Sequence, residues 1–180
     1  MERDVLAIAL VMLATLASAA DRRPSGCGPG FVWMYDELHS FGVDSPPGWC
    51  GAEGEEGVFR SASKESLPEI RVWFTYSTAA SRSTPEDPVA SALDSIARGA
   101  ASQLMQPIRT SGGETVKLWS LAAKDGAQKL VGLLPYENGI VLVRFVLTTA
   151  AGALTPDAEH AFRLAVQSFR GNARRRPTKG

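Results

Sequence analysis

Few side chains in the sequence are suited to acid, base or metal chemistry. The two histidines are His39 and His160, and His39 follows two carboxylates at Asp36 and Glu37. An imidazole with neighbouring carboxylates suits zinc binding or proton transfer, although a metal site needs three or four ligands on rigid positions. The spacing leaves open a small periplasmic hydrolase or metal-dependent enzyme with its site near these three residues. A solvated loop is the alternative that explains them with fewer assumptions.

Motifs that mark the common enzyme classes are absent from the sequence. It contains no Gly-x-Ser-x-Gly nucleophile turn, no glycine-rich phosphate loop followed by lysine and no His-Glu-x-x-His pair. The acidic segment GAEGEEG (residues 51–57) has three carboxylates, but a calcium loop supplies six or more oxygens on a defined turn, so we predict an exposed loop. The sequence therefore predicts a non-enzymatic protein that needs no cofactor and no metal.

A basic and aromatic group of residues offers binding chemistry instead. Strand alternation places Arg71 with Trp73 and Lys117 with Trp119, each pair on one side of its strand, and Arg144 lies in a third strand. Cationic groups beside indole rings can hold a carboxylate or phosphate and stack an apolar group next to it. This binding patch requires a strand register that the sequence leaves open. In the alternative, both tryptophans lie in the core under a helix and the arginines extend to its rim.

The first twenty residues are typical of an export signal. An apolar run spans residues 5–16, and the small residues Ala17, Ser18 and Ala19 follow it, as a signal peptidase requires. We predict a cleavable signal peptide over residues 1–20 and a periplasmic or secreted protein. The run is shorter than the roughly 20 apolar residues of a membrane span, and a retained anchor is the alternative.

Export gives the two cysteines a structural meaning. Cys27 and Cys50 are the cysteines of the chain, and an oxidising compartment favours a disulfide between two thiols of one small domain. Such a bond would stabilise the fold by about 3 kcal/mol in the chain-entropy model. Pro24 and the charged Asp-Arg-Arg stretch ahead of Cys27 weigh against the alternative of a lipid-modified Cys27.

Composition limits the chain to one ordinary domain. With 180 residues, 44% of them hydrophobic and 21% charged, it can bury a single core. A formal net charge of +0 argues against a protein that binds nucleic acid through its overall field. We expect a single α+β domain over residues 21–170.

A basic tail is predicted to follow that domain. Residues 171–180 are expected to be disordered, and weak contact of the tail with an anionic envelope polymer is a further hypothesis. The basic residues concerned are Arg170, Arg174, Arg175, Arg176 and Lys179.

Hydrophobic periodicity predicts strands, a helix, three more strands and a last helix. The first helix would begin with Thr84 as cap and Pro85 at its first position and end at Pro107. Its apolar stripe would consist of Val89, Leu93, Ile96, Ala100 and Leu104. Strands are predicted near residues 41–43, 58–63, 70–76, 115–123, 128–134 and 140–149.

The second half of the chain predicts a meander followed by a helix. Asp125-Gly126 and Asn138-Gly139 are dipeptides that suit hairpin turns. The strand over residues 140–149 is apolar on both sides apart from Arg144, which favours a central, doubly covered position. The last helix opens at Thr155 and lines its apolar face with Ala158, Phe162, Ala165, Val166 and Phe169. The fold class is α+β: a mostly antiparallel sheet of about five to six strands with helices packed on it.

The segment FGVDSPPGWC marks a structural corner. Pro47 and Gly48 suit the two central positions of a type II turn, and Trp49 follows as the chain turns back. We predict that Pro47, Gly48 and Trp49 form a corner in which the indole ring packs over the sheet edge. Use of that ring as a ligand platform is the alternative.

Two segments resemble PsbP-like and DcrB-like proteins. HSFGVDSPPGWC is similar to their opening strand and Pro-Gly-Trp corner, and GIVLVRFVLTTAAGALTPDAEHAFRLAVQSFR is similar to their closing strand and helix. The resemblance implies an α/β/α sandwich and an exported accessory protein that binds a protein partner in the cell envelope without catalysis. Cys27, Cys50 and the basic tail depart from the family pattern, and no family site residue transfers onto this chain.

Overall fold

The structure is a computed structural model that describes residues 31–34, 40–52, 55, 57–61, 68–76, 87–124, 126–136, 141–149 and 154–171. The predicted signal peptide, Cys27, the tail from residue 172 and the trio Asp36, Glu37 and His39 lie outside the described residues. The signal peptide, the disulfide and the enzyme site near His39 therefore stay predictions. No helix among the described residues is long and apolar enough to cross a membrane.

Ten strands and two helices make up the described part of the chain. In chain order the strands are β1 (Phe31–Met34), β2 (Ser40–Val43), β3 (Trp49–Gly51), β4 (Val58–Ser61), β5 (Glu69–Tyr76), β6 (Ala101–Arg109), β7 (Thr115–Ala122), β8 (Gln128–Tyr136), β9 (Val141–Thr148) and β10 (Arg170–Gly171). Helix α1 (Pro88–Ala97) lies between β5 and β6, and helix α2 (Pro156–Gln167) lies between β9 and β10.

Seven of these strands form one antiparallel sheet in the order β3-β4-β5-β9-β8-β7-β6. A smaller sheet has the order β1-β2-β10. Strand β9 is the middle strand of the larger sheet, as its two apolar sides predicted. The α+β class is confirmed, and the larger sheet exceeds the five to six predicted strands because β3 and β6 both belong to it.

Each face of the larger sheet has its own apolar cluster. On one face α2 and the smaller sheet cover a core that contains the fully buried rings of Phe41, Phe145, Phe162 and Phe169. On the other face α1 packs over Leu121, Val131, Leu133, Leu142 and Val146 through its buried residues Val89 and Ala92. The architecture is therefore a sandwich with helices on both faces, as the sequence led us to expect.

Helix α1 is shorter than predicted. Asp87 is its N-cap, with a side-chain oxygen 3.0 Å from the backbone nitrogen of Val89, and Pro88 occupies the first turn. The helix stops at Ala97 because Arg98 adopts the left-handed conformation with φ of 45° and Gly99 follows with φ of 81°. Thr84 and Pro85 lie outside the described residues.

The continuation of that helix was predicted wrongly. Ala100 precedes and Leu104 lies within strand β6, so neither belongs to a helical stripe. Pro107 falls inside this strand at a register shift between Met105 and Ile108, where an edge strand tolerates a residue without a backbone N–H. The spacing of apolar residues fits both periods over so short a run, and pairing of β6 with β7 favours the strand.

The meander and the last helix agree with their predictions. Strands β7, β8 and β9 are neighbours in the sheet, and Gly126 has φ of 82° in the first hairpin turn. Thr155 caps α2 by accepting a hydrogen bond from the nitrogen of Ala158 at 3.2 Å. The five predicted core residues of this segment, Ala158, Phe162, Ala165, Val166 and Phe169, are all buried.

The Pro-Pro-Gly-Trp segment is a tight turn at the start of β3. The nitrogen of Trp49 donates to the carbonyl of Pro46 at 3.0 Å, and Gly48 has φ of 74°, which a type II turn requires at this position. Ser45 Oγ donates to the carbonyl of Trp49 at 2.5 Å. The Trp49 side chain is 8% exposed and belongs to the core on the α2 face, while Pro47 and Gly48 occupy the two central positions of the turn.

Candidate functional site

The register of the sheet places all five residues of the basic and aromatic patch on the face that carries α1. One row across the sheet runs Trp73, Arg144, Leu133, Lys117, since these residues are cross-strand partners in sequence. The next row runs Arg71, Val146, Val131, Trp119. Side chains opposite one another in an antiparallel sheet share a face. Register, which the sequence left open, thus gathers these residues on one side.

Arg144 is the central cation of this face. Its guanidinium is half-buried and lies 6.0 Å from the centre of the Trp73 ring. One terminal nitrogen donates to Thr75 Oγ1 at 3.2 Å, and Nε is buried with no hydrogen-bond partner. Burial lowers the pKa of Arg144 from its ordinary value because desolvation disfavours the charged form. Within the described residues no carboxylate lies in ion-pair contact with it.

A groove of about 460 Å³ opens beside Arg144, between α1 and strands β5, β9 and β8. Helix α1 supplies Ser95, Ile96 and the left-handed Arg98 to its upper wall. The strands supply the floor, whose described residues are Glu69, Arg71, Trp73, Lys129, Arg144, Val146 and Thr148. A cleft of this size lies within the range that holds small ligands or a short peptide segment.

The groove is electropositive. Its described lining contains four cationic side chains, on Arg71, Arg98, Lys129 and Arg144, against the single carboxylate of Glu69. Glu69 pairs with Arg60 at 3.0 Å and with Arg71 at 3.1 Å. Arg98, Lys129 and Arg144 are therefore the lining cations that form no ion pair among the described residues. The groove therefore favours an anion, and its low-dielectric walls strengthen that preference over what an open surface would give.

A second cavity of about 430 Å³ continues from the first around the C-terminal end of α1. The two cavities share Ile96, Arg98 and Lys129 in their walls. The remaining described lining is mostly small, and consists of Ala97, Gly99, Ala100, Ala123 and Lys124. The groove is consequently elongated and has cations at several points along its length.

Lys117 and Trp119 share the face of the groove but lie on β7, outside its described lining. Trp73 and Trp119 are both half-buried and pack against the apolar cluster under α1. Both rings are thus partly packed under the helix, as the alternative interpretation predicted. Trp73 also lines the groove.

Sequence reasoning missed Arg98, Lys129 and Lys124 as groove residues. The predicted helix continued past Arg98, so this residue was not expected at a helix end, although the following Gly99 is a common signal for one. Lys129 shares a strand side with Val131 and Leu133, so alternation alone could have placed it on this face.

His160 and Glu55, candidates from the sequence for metal or acid chemistry, lie outside the described groove lining. His160 is exposed on α2. Glu55 of the acidic segment pairs with Arg60 at 2.7 Å and with Arg71 at 3.7 Å, and hydrogen bonds to Glu69 and Glu55 raise the pKa of Arg60. No cluster of three potential metal ligands occurs in the described part of the chain.

The start of the basic tail is part of the fold. Arg170 pairs with Asp44 at 2.5 Å, and Arg170–Gly171 form the short strand β10. Of the two cysteines predicted to form a disulfide, Cys50 is described, and it lies in β3 opposite Arg60. Contact of the rest of the tail with an anionic polymer stays a prediction, because residues 172–180 lie outside the described ranges.

No family model and no curated protein matches the chain. Among solved structures, the chain is similar to the solution structure of cyanobacterial PsbP (CyanoP) from Synechocystis sp. PCC 6803. The two share 16% sequence identity with a TM-score of 0.46, over 84% of this chain and 98% of that chain. The DcrB-like part of the resemblance stays a prediction. Fold and groove together define a small α+β domain with a cationic cleft on one face of its sheet.

Proposed function

We propose that this protein is a non-enzymatic, exported accessory protein that binds a protein partner in the cell envelope. The cationic groove is the binding site, and it receives a carboxylate of the partner. The observation that carries the proposal is the half-buried Arg144, whose Nε has no partner and whose charge meets no described carboxylate. A half-buried guanidinium with one unsatisfied nitrogen costs the fold some stability, and an incoming anion would remove part of that cost.

The lining chemistry supports binding of an anion. Its described groups are cations, a tryptophan, two hydroxyls and aliphatic side chains, with Glu69 already held by two arginines. Such a set orients and neutralises a carboxylate, and an indole beside it can cover an adjoining apolar group. The signal-like first twenty residues and the two cysteines support export.

Site-specific photo-crosslinking tests this proposal. A photoreactive amino acid replaces Ser95, which is exposed on the groove wall, and the processed protein is irradiated in its native envelope fraction. We expect crosslinks to a discrete protein that disappear when Arg144→Met is added. Lys117→Met is the matched control, because Lys117 is exposed on the same face and in the same row but outside the described groove lining.

Two results would reject the proposal. One is the same crosslinked product with and without Arg144→Met, and the other is no product above that obtained from the unirradiated sample. Export is tested separately by the N-terminal sequence of the envelope-associated protein, which we expect to begin at residue 20 or 21. An uncut leader on that protein would contradict the prediction of export.

A further inference from the structure

Two cations of the groove, Arg144 and Lys129, lie in rows of the sheet whose backbone positions are a fixed distance apart along the strands. Arg144 is the cross-strand partner of Leu133, and Lys129 is the partner of Thr148. Arg144 and Thr148 are four residues apart on β9, so the row of Lys129 lies about 13 Å further along the strands than the row of Arg144. Arg71 lies in the intervening row on β5, where its partner is Val146.

On β9 and α1, apolar side chains lie between these two cationic positions. Val146 lies on the floor in the intervening row, and Ile96 of α1 lies in the wall above. Both cavities include Ile96, so the apolar wall runs past Lys129 towards Ala97, Ala100 and Ala123. Along β9 and β8 the groove thus presents a cation, an apolar stretch and a second cation. On the neighbouring β5, Arg71 and Glu69 also line the groove but pair with each other at 3.1 Å.

An extended peptide has a matching repeat. In an extended strand alternate side chains point to the same side and rise about 6.6 Å per two residues, so residues i and i+4 are about 13 Å apart. Two carboxylates at i and i+4 would reach Arg144 and Lys129 together, and residue i+2 would face Val146 and Ile96 between them. A helix would place residues i and i+4 only about 6 Å apart along its axis.

We propose that the groove recognises an extended peptide segment of the form acid-x-apolar-x-acid, with the first acid on Arg144 and the second on Lys129, or in the reverse direction. This inference rests on the proposed function and specifies the partner's segment. Complementary charge argues for it: Arg98, Lys129 and Arg144 line the groove and form no ion pair among the described residues, while Glu69 is paired with Arg60 and Arg71. The elongated groove continues beyond Lys129 towards Lys124, which leaves the peptide room to pass through.

Charge-matched peptides test the spacing directly. The probes are acetylated, fluorescein-labelled nonapeptides of Thr and Ser, with Val at position 5 and two Glu residues placed at positions 3 and 7, 4 and 7, or 3 and 4. A fourth peptide has Gln at positions 3 and 7. Affinity for the processed protein is measured by fluorescence polarisation at fixed low salt, because exposed ion pairs weaken as salt rises.

We expect the 3,7 peptide to bind at least tenfold more tightly than the two isomers of equal charge, and the Gln peptide to bind most weakly. Arg144→Met and Lys129→Met should each reduce affinity for the 3,7 peptide to that of the isomers. Lys117→Met should leave the preference unchanged. The near-ultraviolet circular dichroism spectrum of each variant checks its fold, and Lys129→Met keeps the test valid should Arg144→Met perturb folding.

Equal affinity for the three isomers would overturn the spacing inference, as would the absence of binding to any of them. Displacement of the 3,7 peptide by inorganic phosphate at equal concentration would also overturn it, since a single small anion would then suffice. Preferential binding to phosphatidylglycerol vesicles without competition by the peptide would assign the groove to a lipid surface instead.

The test separates this inference from the proposed function. If the Ser95 crosslink depends on Arg144 while the isomers bind equally, the proposed function stands and the spacing inference fails. If Arg144→Met changes neither the crosslink nor peptide binding, both fail.

Discussion

The two faces of the seven-stranded sheet differ in how completely they are covered. The α2 face has a second layer made of a helix and a small sheet, and rings meet there edge to face, as in Phe41 with Phe74 at 4.9 Å and Phe145 with Phe169 at 6.0 Å. The α1 face has one ten-residue helix among the described residues. Its two tryptophans are only half-buried, and the half-buried Arg144 lies beside Trp73 in the same row of the sheet.

Simple dimensions explain this difference. Seven strands about 4.8 Å apart give a sheet roughly 29 Å wide, whereas a helix is about 10 Å across and ten residues are about 15 Å long. One such helix cannot cover the face, and Leu104 on the outer strand β6 is accordingly 67% exposed. The groove is the uncovered strip along the β5 side of α1. The proposed binding surface thus results from an incomplete layer, while the more completely covered face contains the larger core cluster.

The largest expected effect tests the closed face. Phe145→Ala removes a fully buried ring from the centre of β9, and we expect the free energy of unfolding to fall by about 3–5 kcal/mol. Urea denaturation measures it. A loss below about 1 kcal/mol would contradict a tightly packed α2 face.

The neighbouring residue tests the open face, with the opposite sign. Arg144→Met replaces a half-buried cation, whose desolvation lowers its pKa because burial disfavours the charged form. We expect the free energy of unfolding to rise by about 1 kcal/mol, because an unsatisfied Nε is removed and the aliphatic stem is kept. Urea denaturation again provides the value, and Lys117→Met should change it by less than about 0.5 kcal/mol. Destabilisation by Arg144→Met would show that its bond to Thr75 matters more than its burial.

The helix caps give effects of intermediate size on both faces. Asp87→Ala and Thr155→Ala each remove a side-chain acceptor at the start of a helix, and we expect each to cost about 1 kcal/mol. Thermal unfolding of the two variants compares them. Helix α1 buries fewer residues than α2 and forms a wall of the groove. Asp87→Ala should therefore also weaken peptide binding, whereas Thr155→Ala should leave it unchanged. Equal binding by both would show that α1 does not shape the groove.

The smallest expected effect sets stability against binding at Arg98. A left-handed conformation costs an ordinary residue about 1–2 kcal/mol, and glycine avoids most of that cost at the expense of a more flexible unfolded chain. Arg98→Gly should therefore raise the free energy of unfolding by about 0.5 kcal/mol and weaken the 3,7 peptide several-fold. The melting temperature and fluorescence polarisation measure the two changes. Stabilisation without loss of binding would remove Arg98 from the site.

The sequence by itself determined much of the framework. Thr155 and Pro156 marked the start of α2, the Pro47-Gly48 pair marked a turn, and the two apolar sides of β9 predicted its central position. Each of these features depends on neighbours along the chain, so local sterics, capping and periodicity are sufficient to predict them.

The tertiary structure decided which residues from distant parts of the chain become neighbours. Alternation showed which residues share a side of one strand, but only the hydrogen-bond ladder set Trp73, Arg144 and Lys117 in one row and Lys129 about 13 Å away. The strand that follows α1 likewise depended on pairing with β7. A groove is formed by surfaces distant in sequence, and its existence follows from how far a short helix can cover a wide sheet.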